Sequence, residues 1–199
     1  MQTNQKKLHD MVGTAILAAI VILLQVFVVI PLGAFSITLT LVPIIIGAII
    51  YGARTGAFLG GVFGVTVAIQ VVTGAMGVLS FMMFETRPVI TLTLCVLKGV
   101  MAGLVSGLIY ALCKKHRAAG VILSAISCPI VNTGIFVGGL FLFYYPLMSQ
   151  FASENAFAST VSFIFVGIVG LNFVVEFIIN VALIPVVLRL IKILIPKKA

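Results

Sequence analysis

The stretch VITLTLCVLKGVMAGLVSGLIYAL, residues 89–112, decides the fold class because it is long, apolar and interrupted by a single charge, Lys98. A bilayer core about 30 Å thick needs roughly 20 apolar residues for each helical crossing. In lipid, only α-helices and closed β-barrels satisfy their own backbone hydrogen bonds. The stretch lacks the strict alternation of a barrel strand, so it predicts a transmembrane α-helix.

Similar apolar runs fill the rest of the chain. Of its 199 residues, 62% are hydrophobic and 8% are charged, and the mean hydropathy is +1.36. We therefore predict an all-α integral membrane protein, with residues 1–199 forming a single bundle of six transmembrane helices. The second helix is short. The approximate spans are 10–30, 41–53, 55–74, 89–112, 119–145 and 160–191.

The basic residues orient this bundle. If the N-terminus is cytoplasmic, ten of the twelve basic residues lie in cytoplasmic segments, whereas Arg87 lies in an outer loop and Lys98 within a span. By the positive-inside rule, both termini are predicted to be cytoplasmic. The charges are spread over short membrane-flanking segments, which argues against nucleic-acid binding. The ten residues are Lys6, Lys7, Arg54, Lys114, Lys115, Arg117, Arg189, Lys192, Lys197 and Lys198.

Small residues recur at every fourth position in three spans, a spacing that lets helix backbones approach closely. In the third and fourth spans the pattern predicts tight static packing, with a mobile interface as the alternative. In the first span Ala15 and Ala19 form a similar stripe, for which packing inside the bundle and docking of another protein are both open. The glycines of the pattern are Gly56, Gly60, Gly64, Gly99, Gly103 and Gly107.

Polar side chains within the spans are few, since a charge at the bilayer centre costs roughly 2.5–3.5 kcal/mol. Asn172, Glu176 and Asn180 are spaced to share one face of the last helix. Counting about 1.5 Å per residue places Lys98, Asn132 and Glu176 at a similar depth. Either Lys98 and Glu176 form a buried ion pair completed by the asparagines, or the cluster lines a cavity that binds a small polar solute from outside.

Three further features surround this depth. Pro129 removes a backbone hydrogen bond one turn before Asn132, which predicts a kinked, polar helix wall or a kink without function. The outer stretches SFMMFETRP (80–88) and FYYPLMSQF (143–151) predict either a lid or an interfacial aromatic belt. Gln70, near the outer end of the third span, is a further candidate for the cavity.

Two other functional classes fit the residues poorly. An intramembrane enzyme needs a nucleophile with a base, or paired acids, inside the bilayer, but His9 and His116 lie outside the spans and Glu176 is the one acid within them. An autonomous ion-coupled transporter is expected to have inverted repeats with broken helices, and the sequence has no clear inverted repeat. No metal or cofactor is predicted.

Two motifs, ITLTLVPIIIGAIIYGARTGAFLGGVFG (37–64) and CPIVNTGIF (128–136), carry a family resemblance together with the AILAA stripe (15–19). The chain resembles the substrate-binding S component of an energy-coupling factor (ECF) vitamin transporter, and the likeness is closest to the S components specific for pantothenate. It implies a multi-pass protein of the bacterial plasma membrane that captures a vitamin from outside and topples to release it inward.

The resemblance also implies partners and binding groups. The family associates with a transmembrane coupling protein and two ABC ATPases, in keeping with the absence of a GxxxxGK[ST] phosphate loop from this sequence. Its Ala-x-x-x-Ala docking motif corresponds to Ala15 and Ala19. Its binding regions contain here Glu85, Arg87, Lys98, Asn132, Asn172 and Glu176.

The ligand stays open at the level of the residues. For pantothenate, Lys98 or Arg87 is expected to receive the carboxylate, while Asn132, Asn172 and Glu176 take the polar remainder. If Glu176 already neutralises Lys98, an uncharged or cationic ligand fits better. The absence of tryptophan argues against a tryptophan-stacked thiamine, whereas folate, cobalamin and pyrimidine precursors remain alternatives.

Overall fold

The protein, described from a computed structural model, is mainly helical, with one short β-hairpin in the part of the chain that the structure describes. The structure describes residues 2–32, 35–113 and 116–194. The elements are α1 (Gln2–Phe27), β1 (Val29–Leu32), β2 (Phe35–Thr38), α2 (Leu41–Tyr51), α3 (Ala53–Val72), α4 (Val78–Thr86), α5 (Pro88–Leu112), α6 (Arg117–Phe143), α7 (Tyr145–Glu154), α8 (Thr160–Ser162), a π-helical segment (Phe163–Gly170), α9 (Leu171–Ala182) and α10 (Ile184–Leu194).

Five helical segments in the described ranges are long and apolar enough to cross a membrane. They are Lys7–Phe27, Ala53–Val72, Pro88–Leu112, Arg117–Phe143 and Thr160–Arg189. The short second helix predicted from the sequence is α2, which has 11 residues and is about 16 Å long. Its side chains are largely buried within the bundle.

The predicted first span ends too late. Residues 28–30 were expected in the helix, but α1 ends at Phe27 and the chain turns back as the antiparallel pair β1–β2, with Val29 opposite Thr38. The cause lies in the sequence VVIP. The residue before a proline disfavours the helical conformation, and β-branched residues favour strands.

The last predicted span, 160–191, is a succession of helical segments rather than one regular helix. A π-helical segment joins α8 to α9, and the chain breaks again at Leu183 before α10. Pro185, the second residue of α10, has no backbone N–H to donate, which explains the second break. π-Helical turns are uncommon and frequently lie at functional sites.

Helices α3 and α5 pack backbone to backbone through the two glycine ladders. A Cβ atom on Gly60 would overlap the carbonyl oxygen of Gly99, and one on Gly103 would overlap that of Gly56. These pairings run in opposite directions along the two helices, which are therefore antiparallel. Tight packing, the first interpretation of the glycine spacing, is what the structure has.

Helices α5 and α6 are also antiparallel neighbours. The Ser124 hydroxyl donates to the Ser106 carbonyl at 2.8 Å, and the Ser106 hydroxyl donates to the Ser124 carbonyl at 3.2 Å. Arg54 at the start of α3 and Arg117 at the start of α6 therefore lie at one end of the bundle, the basic end. The opposite end, the hairpin end, carries β1–β2 and α4.

Candidate functional site: a polar cavity at the hairpin end

The buried apolar side chains of the described residues form two clusters, one that includes Val67 and Val71 and one that includes Met83 and Ile168. Members of both line a cavity. The space in it that is open to the centre of a water-sized molecule is about 90 Å³. Its wall comes from α3, α4, α5, α6, the π-helical segment and α9. The lining residues are Val67, Val71, Met76, Ser80, Met83, Thr91, Leu94, Cys95, Lys98, Asn132, Thr133, Phe136, Ile168, Val169, Phe173 and Glu176.

Helix α5 supplies one continuous face of this wall. Thr91, Cys95 and Lys98 stand at positions i, i+4 and i+7 and therefore lie above one another. Thr91 is in the first turn of α5, and Lys98, seven residues further along the helix, lies about 10 Å deeper than Thr91. The cavity thus extends from the hairpin end toward the middle of the bundle.

Lys98 is held in the cavity by aromatic rings. Its Nζ lies 4.8 Å from the centre of the Phe136 ring and 6.0 Å from that of Phe63. An ammonium group over an aromatic face is stabilised by the ring quadrupole, the more so when water is excluded. The arrangement places the Lys98 ammonium group inside a mostly apolar wall.

Asn132 brings an amide to the same wall from α6. The side chain is 7% exposed, and its Oδ1 has no hydrogen-bond partner in the part of the chain that the structure describes. An unsatisfied buried oxygen costs roughly 1–3 kcal/mol. Pro129 is buried one turn earlier in α6, which continues through it.

Helix α9 brings the acid. Phe173 and Glu176, at i and i+3, both line the cavity. Asn180 lies one turn further and does not line it; its Nδ2 donates to the Glu176 carbonyl at 2.7 Å. The side chain of Asn172, the third member of the predicted stripe, lies outside the described residues. Lys98, Asn132 and Glu176 are therefore the sequence candidates that the structure brings together.

The remaining candidates lie elsewhere. Glu85 and Arg87 are exposed at the corner between α4 and α5 and do not line the cavity. Gln70 pairs with Gln25 of α1: the Gln25 Nε2 donates to the Gln70 Oε1 at 2.7 Å, and the Gln70 Nε2 donates to the Gln25 carbonyl at 2.9 Å. The Thr40 hydroxyl completes this buried cluster by donating to the Gln25 Oε1 at 3.0 Å.

Sequence reasoning missed several polar cavity residues. Ser80, Thr91 and Thr133 are hydroxyl-bearing and common in membrane helices, so they gave no signal of their own. Thr91 was detectable from its position seven residues before Lys98, on the same helical face. Ser80 belongs to the stretch 80–88, predicted as either a lid or an aromatic belt; residues 80–86 of that stretch lie in α4, which contributes to the wall.

A second concave surface lies on the side of the bundle, between α1 and α3. Ala15 and Ala19 are exposed there, so the alanine stripe is not packed inside the described chain, contrary to one of its two interpretations. The groove is open and mainly apolar. Its lining residues are Asp10, Met11, Thr14, Ala15, Ala18, Ala19, Ile22, Thr55 and Phe58.

The geometry defines a class of protein: a membrane-embedded helical bundle with a polar cavity at one end and an apolar groove on its side. Residues 9–188 match the family described as "ECF transporter, substrate-specific component". The chain therefore belongs to the family of ECF transporter S components, which confirms the resemblance seen in its motifs. S components are transport subunits and not enzymes.

Two related proteins extend this assignment. The pantothenic acid transporter PanT of Lactococcus lactis subsp. cremoris (strain MG1363) is 30% identical over 153 residues, which cover 71% of this chain and 76% of that protein. The solved structure of ThiT from Listeria monocytogenes superposes with a TM-score of 0.62 at 22% identity and covers 93% of this chain and 98% of ThiT. At this identity the second match establishes the fold alone.

Proposed function

We propose that this protein is the pantothenate-binding S component of an ECF importer in the bacterial plasma membrane. It captures the vitamin in the cavity at the hairpin end, which faces outward, and delivers it by toppling on its coupling module. In this proposal α2 completes a set of six membrane crossings, and both termini are cytoplasmic. The similarity to a pantothenate transporter supports the choice of vitamin.

The observation that carries the proposal is the ammonium group of Lys98 within the cavity wall. Pantothenate has one carboxylate, and a charge-assisted hydrogen bond in a low-dielectric site contributes roughly 1.5–3 kcal/mol. Lys98 and Arg87 were both candidates for this role on sequence grounds. Since Arg87 is exposed and outside the cavity wall, we assign the carboxylate to Lys98.

The rest of the ligand also matches the wall. Pantothenate has two hydroxyl groups and an amide N–H, and the Asn132 Oδ1 is an acceptor that lacks a donor among the described residues. Glu176 adds carboxylate acceptors from the facing helix. Val67, Val71 and Ile168 offer apolar surface to the dimethyl portion of pantothenate. Asn172 stays in the proposed set because of its place one turn before Glu176.

The α1–α3 groove is the proposed docking surface for the coupling protein. Ala15 and Ala19 keep its floor shallow, which allows close approach of another helix. Phe58, 57% exposed on α3, forms part of its rim. Two ABC ATPases complete the proposed complex, because this chain carries no phosphate loop of its own.

Titration calorimetry of the purified protein with a panel of water-soluble vitamins tests the proposal. We expect saturable binding of pantothenate with one ligand per chain, and much weaker binding of thiamine, folate and cobalamin. Tight binding of a different vitamin would reject pantothenate while keeping the class. Failure to bind any vitamin would reject the proposed function.

A further inference from the structure

The first turn of α5 contains a hydroxyl network that links three helices beside the cavity. The Thr91 hydroxyl donates to the Met83 carbonyl of α4 at 2.8 Å, and its Oγ1 lies 2.6 Å from the hydroxyl of Tyr144, at the end of α6. Because the Thr91 proton is directed to Met83, the Tyr144 hydroxyl donates its single proton to the Thr91 Oγ1, and the Arg87 carbonyl lies 3.2 Å from the same hydroxyl. The Arg87 carbonyl also lies 2.9 Å from the Thr91 Oγ1. Thr91 and Tyr144 are 3% and 1% exposed, so water does not compete for these bonds.

The network satisfies the backbone where α4 ends and α5 begins. The Met83 carbonyl accepts from the Arg87 backbone N–H at 3.0 Å as well as from the Thr91 hydroxyl, and the Arg87 carbonyl accepts from the Thr91 backbone N–H at 3.0 Å, with the Tyr144 hydroxyl 3.2 Å away. Two tightly bonded carbonyls fix the angle of the corner between the helices. This corner also determines where α4 sits above the cavity.

Tyr144 itself does not line the cavity, but the groups that it holds do. Thr91 and Met83 are cavity residues, and so is Ser80, one turn earlier in α4. A helix of nine residues is too short to be stable by itself, so its position depends on such tertiary contacts. Loss of the Tyr144 hydroxyl would leave the packing of the ring in place and loosen the corner, because the Thr91 hydroxyl would lose the partner that directs it toward the Met83 carbonyl.

We propose that Tyr144 is a positioning residue for ligand binding: through Thr91 and the Met83 carbonyl it holds α4 against the ligand in the cavity. The proposal rests on the proposed function and adds to it an individual role for Tyr144, which the sequence placed only within the stretch 143–151, predicted as a lid or an aromatic belt. Its consequence is kinetic. A released α4 moves away from the cavity more often, so that bound ligand leaves sooner.

The experiment compares Tyr144→Phe with Tyr145→Phe, its neighbour, whose side chain is 45% exposed. Pantothenate association and dissociation rates are measured on the purified proteins, and the melting temperature is measured without ligand. We expect dissociation from Tyr144→Phe to be on the order of tenfold faster, as for loss of a buried hydrogen bond, with a nearly unchanged association rate. Tyr145→Phe should behave as wild type.

Thr91 provides the second pair of variants. Thr91→Val removes the hydroxyl at constant shape and should match Tyr144→Phe in its dissociation rate, whereas Thr91→Ser retains the hydroxyl and should restore slow dissociation. Lower melting temperatures with unchanged dissociation rates would mean that the network is only structural and would overturn the inference. Wild-type protein that binds no vitamin would instead overturn the proposed function, and the inference with it.

Discussion

The cavity and the α1–α3 groove are both concave, but their walls are built in opposite ways. The cavity contains an ammonium group, a carboxylate and an amide among buried apolar side chains drawn from several helices. The groove involves two helices, and its central alanines are exposed. Buried polar groups suit a small polar ligand, whereas exposed small residues suit the close approach of another helix.

The difference teaches that the surfaces proposed for binding and for docking are physically separate in this fold. Among the described residues, none lines both surfaces. Helix α3 contributes to both, with Thr55 and Phe58 in the groove and Val67 and Val71 in the cavity, at opposite ends of the helix. Substitutions in one surface should therefore leave the other unaffected, unless they disturb the packing of α3 itself.

The largest effect is expected at the α3–α5 interface, because a change in the packing of α3 would disturb both the cavity and the groove. Gly60→Ala adds a methyl group that overlaps the Gly99 carbonyl oxygen, so α3 and α5 must move apart at a cost of about 1–3 kcal/mol or more. Binding and uptake should fall together, with a clearly lower melting temperature.

Gly61→Ala is the matched control, because an added Cβ there meets only Val100 Cγ2 at 3.5 Å within 4 Å. Its melting temperature should equal or slightly exceed that of wild type, since alanine favours the helix. If the two alanine variants melted alike, the backbone contact between α3 and α5 would not be what holds them.

The next largest effect should be confined to docking. Ala19→Trp fills the groove, so uptake of labelled pantothenate by cells that contain the complete transporter should be lost, while affinity measured on the isolated protein changes less than about twofold. Ile16→Trp, at a position that is 56% exposed and outside the groove, should transport normally. If Ala19→Trp lost affinity together with uptake, the substitution would be disturbing the whole fold. The expected independence of the groove from the cavity would then be contradicted.

A smaller effect is expected from the amide of the cavity. Asn132→Leu removes the acceptor proposed for the ligand, so the affinity for pantothenate should fall roughly tenfold, as for loss of one buried hydrogen bond. Asn180→Leu is the comparison, because its Oδ1 also lacks a partner among the described residues but lies away from the cavity wall. Calorimetry giving equal losses for both variants would rule out a direct role for Asn132.

Much of the fold was predictable because its determinants are local. Long apolar runs predict the spans, and glycines at every fourth position predict that α3 and α5 pack closely. The predicted end of the first span was wrong because the apolar residues 28–30 fit a hydropathy count equally well as helix or as strand. The proline that follows and the β-branched side chains of these residues favour the strand.

The sequence predicted those site residues whose position follows from their depth along a membrane-spanning helix. Lys98, Asn132 and Glu176 lie at one level, and the structure brings them to one cavity. Depth does not give rotation about the helix axis, however, so Gln70 was grouped with them although it pairs with Gln25. Nor does it reveal the Tyr144 network, which depends on how α4 and the end of α6 fold back over the bundle.

The central claim is that Lys98 receives the ligand carboxylate, and the most direct test uses pantothenate and its alcohol analogue, in which a hydroxymethyl group replaces the carboxylate. Wild type and Arg87→Met should prefer pantothenate, whereas Lys98→Met should lose about 10- to 100-fold in affinity for pantothenate and little for the alcohol. Calorimetry would measure all three. A Lys98→Met protein that still prefers pantothenate as strongly as wild type would contradict the claim.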